Sequence, residues 1–217
     1  MAGPIPVPAT ATGDRGEAPS TLDPPRQRTE QGLERQQQLV DAAMALFSER
    51  GYAATRIRDI CDRAGVAKGL FYWYFPTKLD LFAELVRTMR RGLRRAQADA
   101  MAPGADALQR LRQGTVASVR FMAEHAAYFA LVDVERADPD VADTLRAGSE
   151  VYLDDVIGLI REAQADGTAR DGDPAMLAIG VLGAVSSFSN AWRAGRIDSS
   201  PDELAEQVGA WVVRALS

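Results

Sequence analysis

Residues 55–78 read Thr55-Arg-Ile-Arg-Asp-Ile-Cys-Asp-Arg-Ala-Gly-Val-Ala-Lys-Gly-Leu-Phe-Tyr-Trp-Tyr-Phe-Pro-Thr-Lys78. This stretch decides the fold, because it encodes two short helices joined by a glycine turn. Ile57, Ile60, Cys61 and Ala64 recur at helical offsets and build one apolar face behind Thr55, the expected N-cap. Gly65 ends that helix. Past the turn, Phe71 and Phe75 lie one helical turn apart and face inward. Lys68 and Tyr72 form one outer line, and Gly69, Leu70 and Trp73 another. An outer face mixing a cation, aromatics and an apolar tip suits phosphate and base-edge contacts in a major groove. There a thymine methyl receives a side chain such as Leu70.

The formal charge of −5 argues against a nucleic-acid binder until the chain is divided. Residues 26–95 carry 14 Lys and Arg against 8 Asp and Glu, whereas residues 96–217 carry 10 against 19. The basic footprint is thus confined to the segment that holds the two short helices, and the acidic remainder avoids DNA. One cysteine excludes an internal disulfide framework and fits a reducing cytoplasm. No basic start followed by an apolar core marks a secretory signal. The longest apolar run, Ala175 to Val185, is too short for a bilayer span and is broken by glycines, so no membrane partner is expected.

Working outward, residues 1–25 hold six of the eleven prolines and almost no bulky apolar residues, the composition of a disordered tail. An arm bearing Arg26 and Arg28 follows, either a groove or phosphate contact or a solvated linker. A first helix spans roughly Gln31 to Arg50, with Leu39, Ala43, Leu46 and Phe47 on one face, and stops at Gly51. Thr77 caps a long fourth helix that runs to about Ala102, with Leu79, Phe82, Leu85, Val86 and Met89 along its inward stripe. Beyond Gly104, helices are expected over 105–123, 125–136, 139–166, 173–194 and 201–216. Asp138-Pro139, Asp173-Pro174 and Ser200-Pro201 mark three starts, and Ser200 with Glu203 forms a capping box. The expected fold is all-α with about nine helices. The expected organisation is a tail over 1–28, a helix-turn-helix domain over 29–78, and a helical effector-binding and dimerisation domain over 79–217.

Ala45-Leu-Phe47, Gly51-Tyr52, Thr55 followed by Ile60, Ala64-Gly-Val66, Gly69-Leu-Phe-Tyr-Trp-Tyr-Phe75 and Lys78 together resemble the N-terminal domain of the TetR family of one-component bacterial transcriptional regulators. The resemblance covers about Gln31 to Val86. It implies base-edge contacts from Lys68, Gly69 and Leu70, phosphate contacts from Tyr72, Trp73 and Lys78, and DNA contacts from Arg56 and Arg58 on the preceding helix. Thr55 and Ala67 at the two helix starts belong to the same interface. Ala67 stands where the family often has a serine or threonine cap, and Cys61 where alanine is common.

In the second half, Leu177, Val181, Ala184 and Phe188 line one side of an apolar helix, with Gly180, Gly183 and Ser187 permitting close approach. Leu204, Val208 and Trp211 do the same on the last helix. These two helices are expected to form a homodimer interface, a pairing the resemblance also implies. A dimer calls for a palindromic double-stranded operator, since one short recognition helix covers only a few base pairs. Met89, Phe121, Met122, His125, Tyr128, Phe129, Tyr152, Val156 and Trp192 suit a largely apolar pocket for a small-molecule effector with a few polar anchors. The resemblance implies release of DNA when that pocket fills, most simply relieving repression. An enzyme is not expected: the sole histidine has no metal partner at ligand spacing, Cys61 has no histidine partner in its helix, and no phosphate loop appears. No metal and no cofactor are expected. The alternative is a structural, nucleoid-type DNA binder without an effector, which would bind all sequences alike with a steep salt dependence.

Overall fold

The structure is a computed structural model that describes residues 30–146 and 149–217. The expected tail and its Arg26 and Arg28 arm lie outside the described residues. Among those described there are ten helices and no strand: α1 Glu30–Arg50, α2 Ile57–Ala64, α3 Lys68–Tyr74, α4 Lys78–Ala100, α5 Ala107–Glu124, α6 Ala126–Glu135, α7 Pro139–Arg146, α8 Ser149–Ala165, α9 Pro174–Arg193 and α10 Pro201–Leu216. The expected helix over 139–166 is two, α7 and α8, with residues 147 and 148 between them outside the described set.

Local signals set most helix ends. Thr77 caps α4 by accepting from the Asp80 amide while the Asp80 carboxylate takes the Thr77 amide, and Ser200 with Glu203 does the same for α10. Asp173 accepts from the Ala175 amide at the start of α9. Gly65 closes α2 at φ +65°, a left-handed conformation that glycine adopts without strain. Thr55 is not a cap. The N-cap of α2 is Arg56, and Thr55 is buried, its hydroxyl donating to the Gly51 carbonyl at 2.8 Å. That bond pins the α1–α2 connection from inside, so the threonine serves the loop rather than the helix start.

One core cluster joins α1 through Leu39, Leu46 and Phe47, α2 through Ile60, α3 through Phe71 and Phe75, and α4 through Leu81, Phe82, Leu85 and Val86. Tyr128 and Leu131 of α6 belong to it as well. The helix-turn-helix unit therefore shares packed side chains with the second half, and residue 78 is no break in the packing. Each buried Phe or Leu in this cluster contributes on the order of 1.5–3 kcal/mol.

In the second half α5 is the central helix. Val116, Val119 and Met122 of α5 pack against Leu204, Ala205 and Val208 of α10 and Val185 of α9. Gly209 lets α10 close onto α5, since a Cβ there would lie 2.7 Å from Val116 Cγ2. By length and composition α9 is apolar enough to cross a membrane, with mean hydropathy reaching 1.4. It packs instead as a bundle helix with Ala178, Val181 and Val185 buried, and it leaves another side open.

Candidate DNA-reading face and effector cavity

The α2–α3 turn fixes the reading helix. Val66 N–H bonds the Cys61 carbonyl at 3.0 Å, Leu70 N–H bonds the Ala67 carbonyl at 2.9 Å, and buried Phe71 and Phe75, ring centroids 5.9 Å apart, anchor α3 from below. Ala67 occupies the N-cap with no side-chain bond, so α3 starts without the usual hydroxyl cap. The opposite side of α3 is open: Ala67, Lys68, Gly69, Tyr72 and Trp73 are exposed, Trp73 at 64%, and Leu70 is half-buried. Lys68 Nζ lies 5.7 Å from the Tyr72 ring centroid, which places cation and phenol side by side. Nothing lies within 4 Å of a Cβ built at Gly69, so no packing inside the chain requires glycine there. Arg56 and Arg58 on α2 are exposed on the same unit, with Arg58 loosely paired to Asp62 at 3.6 Å.

Two of the expected DNA contacts have partners within the chain. Thr55 is interior, as described above. Lys78 Nζ donates to the carbonyls of Tyr52 at 2.7 Å and Thr55 at 3.0 Å and sits 4.1 Å from the Tyr52 ring centroid. A longer contact reaches the exposed Ala53 carbonyl at 3.4 Å, so the half-buried Lys78 ammonium ties the α1–α2 connection to the start of α4. Cys61 is buried, and burial, reinforced by the charge of Asp62 and opposed by Lys68, pushes its thiol up, away from the reactive thiolate.

A cavity of about 480 Å³ opens between α4, α6 and α9. Of the residues expected at an effector pocket, Met89, Met122, Tyr128, Phe129 and Tyr152 line it. Val156 lines an adjoining cavity of about 360 Å³, which shares Arg94, Tyr152, Leu182 and Val185 with the first. Three expected lining residues stand apart. The Phe121 ring covers Gly92 of α4, where a Cβ would meet it at 3.0 Å, and packs on His125 at 4.2 Å between centroids. Trp192 joins the α9–α10 cluster, its indole N–H donating to the Ser199 carbonyl at 2.9 Å. Phe121, His125 and Trp192 are absent from the lining of both cavities.

Of the polar lining, the phenols of Tyr128 and Tyr152 were expected, whereas Arg90, Arg94, Asp133, Arg136, Asn190 and Arg193, from α4, α6 with its C-cap, and α9, were missed in the sequence. Where the cavities meet, Gln97 Nε2 donates to Ser118 Oγ at 2.8 Å and Tyr152 Oη at 2.7 Å, and Ser118 Oγ donates to the Gly114 carbonyl at 2.7 Å. The Tyr152 proton is left for Ser118 Oγ at 3.3 Å or for a molecule in the cavity. Burial raises the Tyr152 phenol, against the hydrogen bonds from Ser118 and Gln97, and pushes Tyr128 up to about 12 against the opposing charge of Arg90. Both phenols are therefore neutral donors at physiological pH.

The cavity walls reach the DNA-reading unit by two routes. α4 supplies Met89, Arg90, Leu93 and Arg94 to the wall and begins at Lys78, directly after α3. α6 supplies Tyr128, Phe129, Val132 and Asp133, and its last residue, buried Glu135, accepts from the Tyr52 amide at 2.7 Å. The Tyr52 ring in turn packs at a tilt on Phe47 and edge-on to Phe82, with centroids 5.4 and 5.2 Å away.

The expected dimer residues divide. Val181, Leu204 and Val208 are buried within the protomer, because α5 and α8 pack on that line of α9 and α10. A side chain already buried offers nothing to a second copy. Leu177, Ala184 and Phe188 are half-buried, and Trp211 is exposed at 38% with its ring 5.7 Å from Phe188. The open side of α9 instead carries Met176 at 73% and Ile179 at 58%, with exposed Gly180, Gly183 and Ser187.

Residues 39–85 match the family model described as bacterial regulatory proteins, tetR family, and residues 104–216 match the tetracyclin repressor-like C-terminal domain. The HTH-type transcriptional activator FasR of Mycolicibacterium smegmatis is 29% identical over 161 residues, 73% of this chain and 72% of that protein. The HTH-type transcriptional repressor KstR2 of Mycobacterium tuberculosis is 36% identical over 93 residues, 43% of this chain and 46% of the repressor. Among solved structures, the transcriptional regulator FadR of Bacillus subtilis in complex with stearoyl-CoA superposes with a TM-score of 0.73 at 21% identity, covering 83% of this chain and 99% of that one.

Proposed function

Since the chain belongs to the TetR family of bacterial regulatory proteins, we propose that it is a cytoplasmic homodimer that grips a palindromic operator with two copies of α3. It lets go when a small molecule fills the cavity between α4, α6 and α9. The observation that carries this reading is that α4 belongs to both places: it starts beside the reading helix and walls the cavity with Met89, Arg90, Leu93 and Arg94. A ligand that binds better to the form with wrongly spaced reading helices lowers DNA affinity by its own preference for that form, about 1–3 kcal/mol per coupled equilibrium.

Two contacts support a route for that coupling. Phe121 of α5 sits on Gly92 of α4, so a shift of α5 is felt at once by α4. The Glu135 carboxylate ties α6 to the loop at Tyr52, which Lys78 ties to the first turn of α4. The open apolar side of α9, with Met176, Ile179 and Trp211 of α10, is the surface a second copy would cover. On the DNA side we assign base-edge contact to Lys68, Gly69 and Leu70, and phosphate contact to Arg56, Arg58, Tyr72 and Trp73.

Repression by occlusion of a promoter is the output we propose, in keeping with the relative named a repressor. The relative named an activator makes run-off transcription the assay of the sign. The cavity lining is mostly apolar with neutral phenol donors, which fits an amphipathic effector; the neighbour solved with stearoyl-CoA adds weight to that class. The test is fluorescence-anisotropy titration of the intergenic DNA beside the gene against scrambled competitor, with Lys68→Ala/Tyr72→Ala alongside. Competitor-resistant binding that the double variant loses supports a sequence-specific regulator. Equal binding to any sequence would replace it with a nucleoid-type DNA binder.

A further inference from the structure

The cavity has a charged end that a purely apolar effector leaves unused. Arg193, in the last turn of α9, has a side chain only 10% exposed. Its Nη2 donates to Asp133 Oδ2 at 2.7 Å and also contacts Asn190 Oδ1, and its guanidinium lies 5.8 Å from the Phe129 ring centroid. Its Nη1 is buried and has no acceptor among the described residues. Arg193, Asp133 and Asn190 all line the cavity. A buried cationic donor without an acceptor costs free energy comparable to a lost hydrogen bond or more, and because the side chain lines the cavity, a turn of the guanidinium would bring that donor to an acceptor there.

The charge around it has the same sign. Arg90, Arg94 and Arg136 join Arg193 on the wall against the single carboxylate of Asp133, with Asp155 beside Arg94 in the adjoining cavity. Along α9, Asn190 and Ser186 follow Arg193 down one side, and then Leu182 and Val185 lead into the second cavity. From Arg193 to Val181 is 12 residues of helix, about 18 Å at 1.5 Å per residue. The space thus has an anion-seeking end at Arg193 and an elongated apolar continuation past Tyr152.

We propose, on the reading that this cavity receives the effector, that the Arg193 guanidinium, turning its occluded Nη1 toward the cavity, donates to an anionic oxygen at the head of an apolar chain. That oxygen is a carboxylate of a free acid or a phosphate of a conjugated thioester. Guanidinium is the side chain best matched to either group, and a charge-assisted bond in a buried site is roughly twice as strong as a neutral one. Arg193 is then the residue that selects an acid over its neutral ester.

The test uses three probes that share one chain: hexadecanoic acid, its coenzyme A thioester and its methyl ester, each titrated calorimetrically into the full chain. The unchanged protein should take one of the two anions about tenfold or more tighter than the ester, one charge-assisted bond's worth. Which anion wins distinguishes carboxylate from phosphate. Arg193→Met should erase the preference, and Arg193→Lys should keep part of it. Asp133→Asn removes the ion pair but leaves the guanidinium, so it should keep or sharpen the preference. If Arg193 served only to hold α6 to α9, Asp133→Asn and Arg193→Met would behave alike, and that result overturns the proposal. So does equal affinity for acid and ester, or no binding of either anion. Operator binding by the unchanged protein, measured separately, distinguishes failure of this inference from failure of the regulator reading: specific DNA binding without an anion preference defeats only the former.

Discussion

Gly69→Ala separates what the chain needs from what DNA needs. Gly69 is the second residue of α3, with no left-handed backbone angle, and a Cβ there meets nothing within 4 Å. The free protein therefore pays no steric cost and gains helix propensity, at most about 1 kcal/mol and less in a first turn. For a chain of 217 residues that is a rise in Tm of roughly 1–4 °C. If Gly69 makes the base-edge contact proposed for it, the same methyl group enters the space where the backbone of α3 approaches the base edges. Loss of fit there costs about 1–3 kcal/mol per half-site, so a two-fold complex loses about 2–6 kcal/mol, at least thirtyfold in affinity. Differential scanning calorimetry and anisotropy on one preparation read both numbers. Operator affinity within about twofold of the parent would refute close approach at Gly69, and a fall in Tm would refute the open geometry around it.

Three further outcomes follow from particular contacts. Glu135→Ala leaves the Tyr52 amide without its carboxylate acceptor and should cost about 1.5–3 kcal/mol in urea unfolding while weakening effector-driven operator release; unchanged stability would remove this bond from the coupling route. Burial would raise the Glu84 carboxyl, but hydrogen bonds and charges from Arg91 and Arg87 together outweigh it and hold it below the ordinary value. A depressed carboxylate stabilises the fold above its unfolded value, about 4.3, and that stability is lost as pH falls through the folded value. Glu84→Gln should therefore lower Tm at pH 7, with the gap closing under acid conditions, and a gap that widens on acidification contradicts the assignment. Ile179→Glu puts a charge on the open side of α9 and should give a monomer in light scattering with operator affinity reduced about tenfold or more; a dimer that persists would place the two-fold contact elsewhere.

Much of the DNA-reading face was legible because its information is local. Phe71 and Phe75 point inward and Tyr72 and Trp73 outward by helical period alone, and the structure leaves those two exposed. Less legible were the bonds that Thr55 and Lys78 make to the α1–α2 connection, 4 to 26 residues away in sequence. A threonine before a helix and a lysine after a proline look the same whether they face a phosphate or a buried carbonyl. The cavity between α4, α6 and α9 was half legible. Its apolar lining is where Met, Phe and Tyr cluster, but Arg193 and Asp133 meet across 60 residues, and an arginine at a helix end reads in sequence as a solvated charge.

By itself the sequence determined the helical class, the helix-turn-helix unit, the basic and acidic division of the chain and the caps at Thr77, Asp173 and Ser200. Each of these is set within one or two helical turns by backbone geometry and hydrogen bonding. Tertiary structure decided which side of α9 and α10 goes inward. α9 is apolar on most sides and has no phase of its own, so packing by α5 and α8 decides that Val181 is buried while Met176 and Ile179 remain outside, and α5 decides that Leu204 and Val208 of α10 face the protomer core. It also decided that Lys78 and Glu135 converge on the backbone of Tyr52 and that the Arg193 guanidinium is enclosed with one nitrogen unpaired. Burial and long-range pairing depend on which surfaces the helices present to one another, and that is fixed only when all of them pack together.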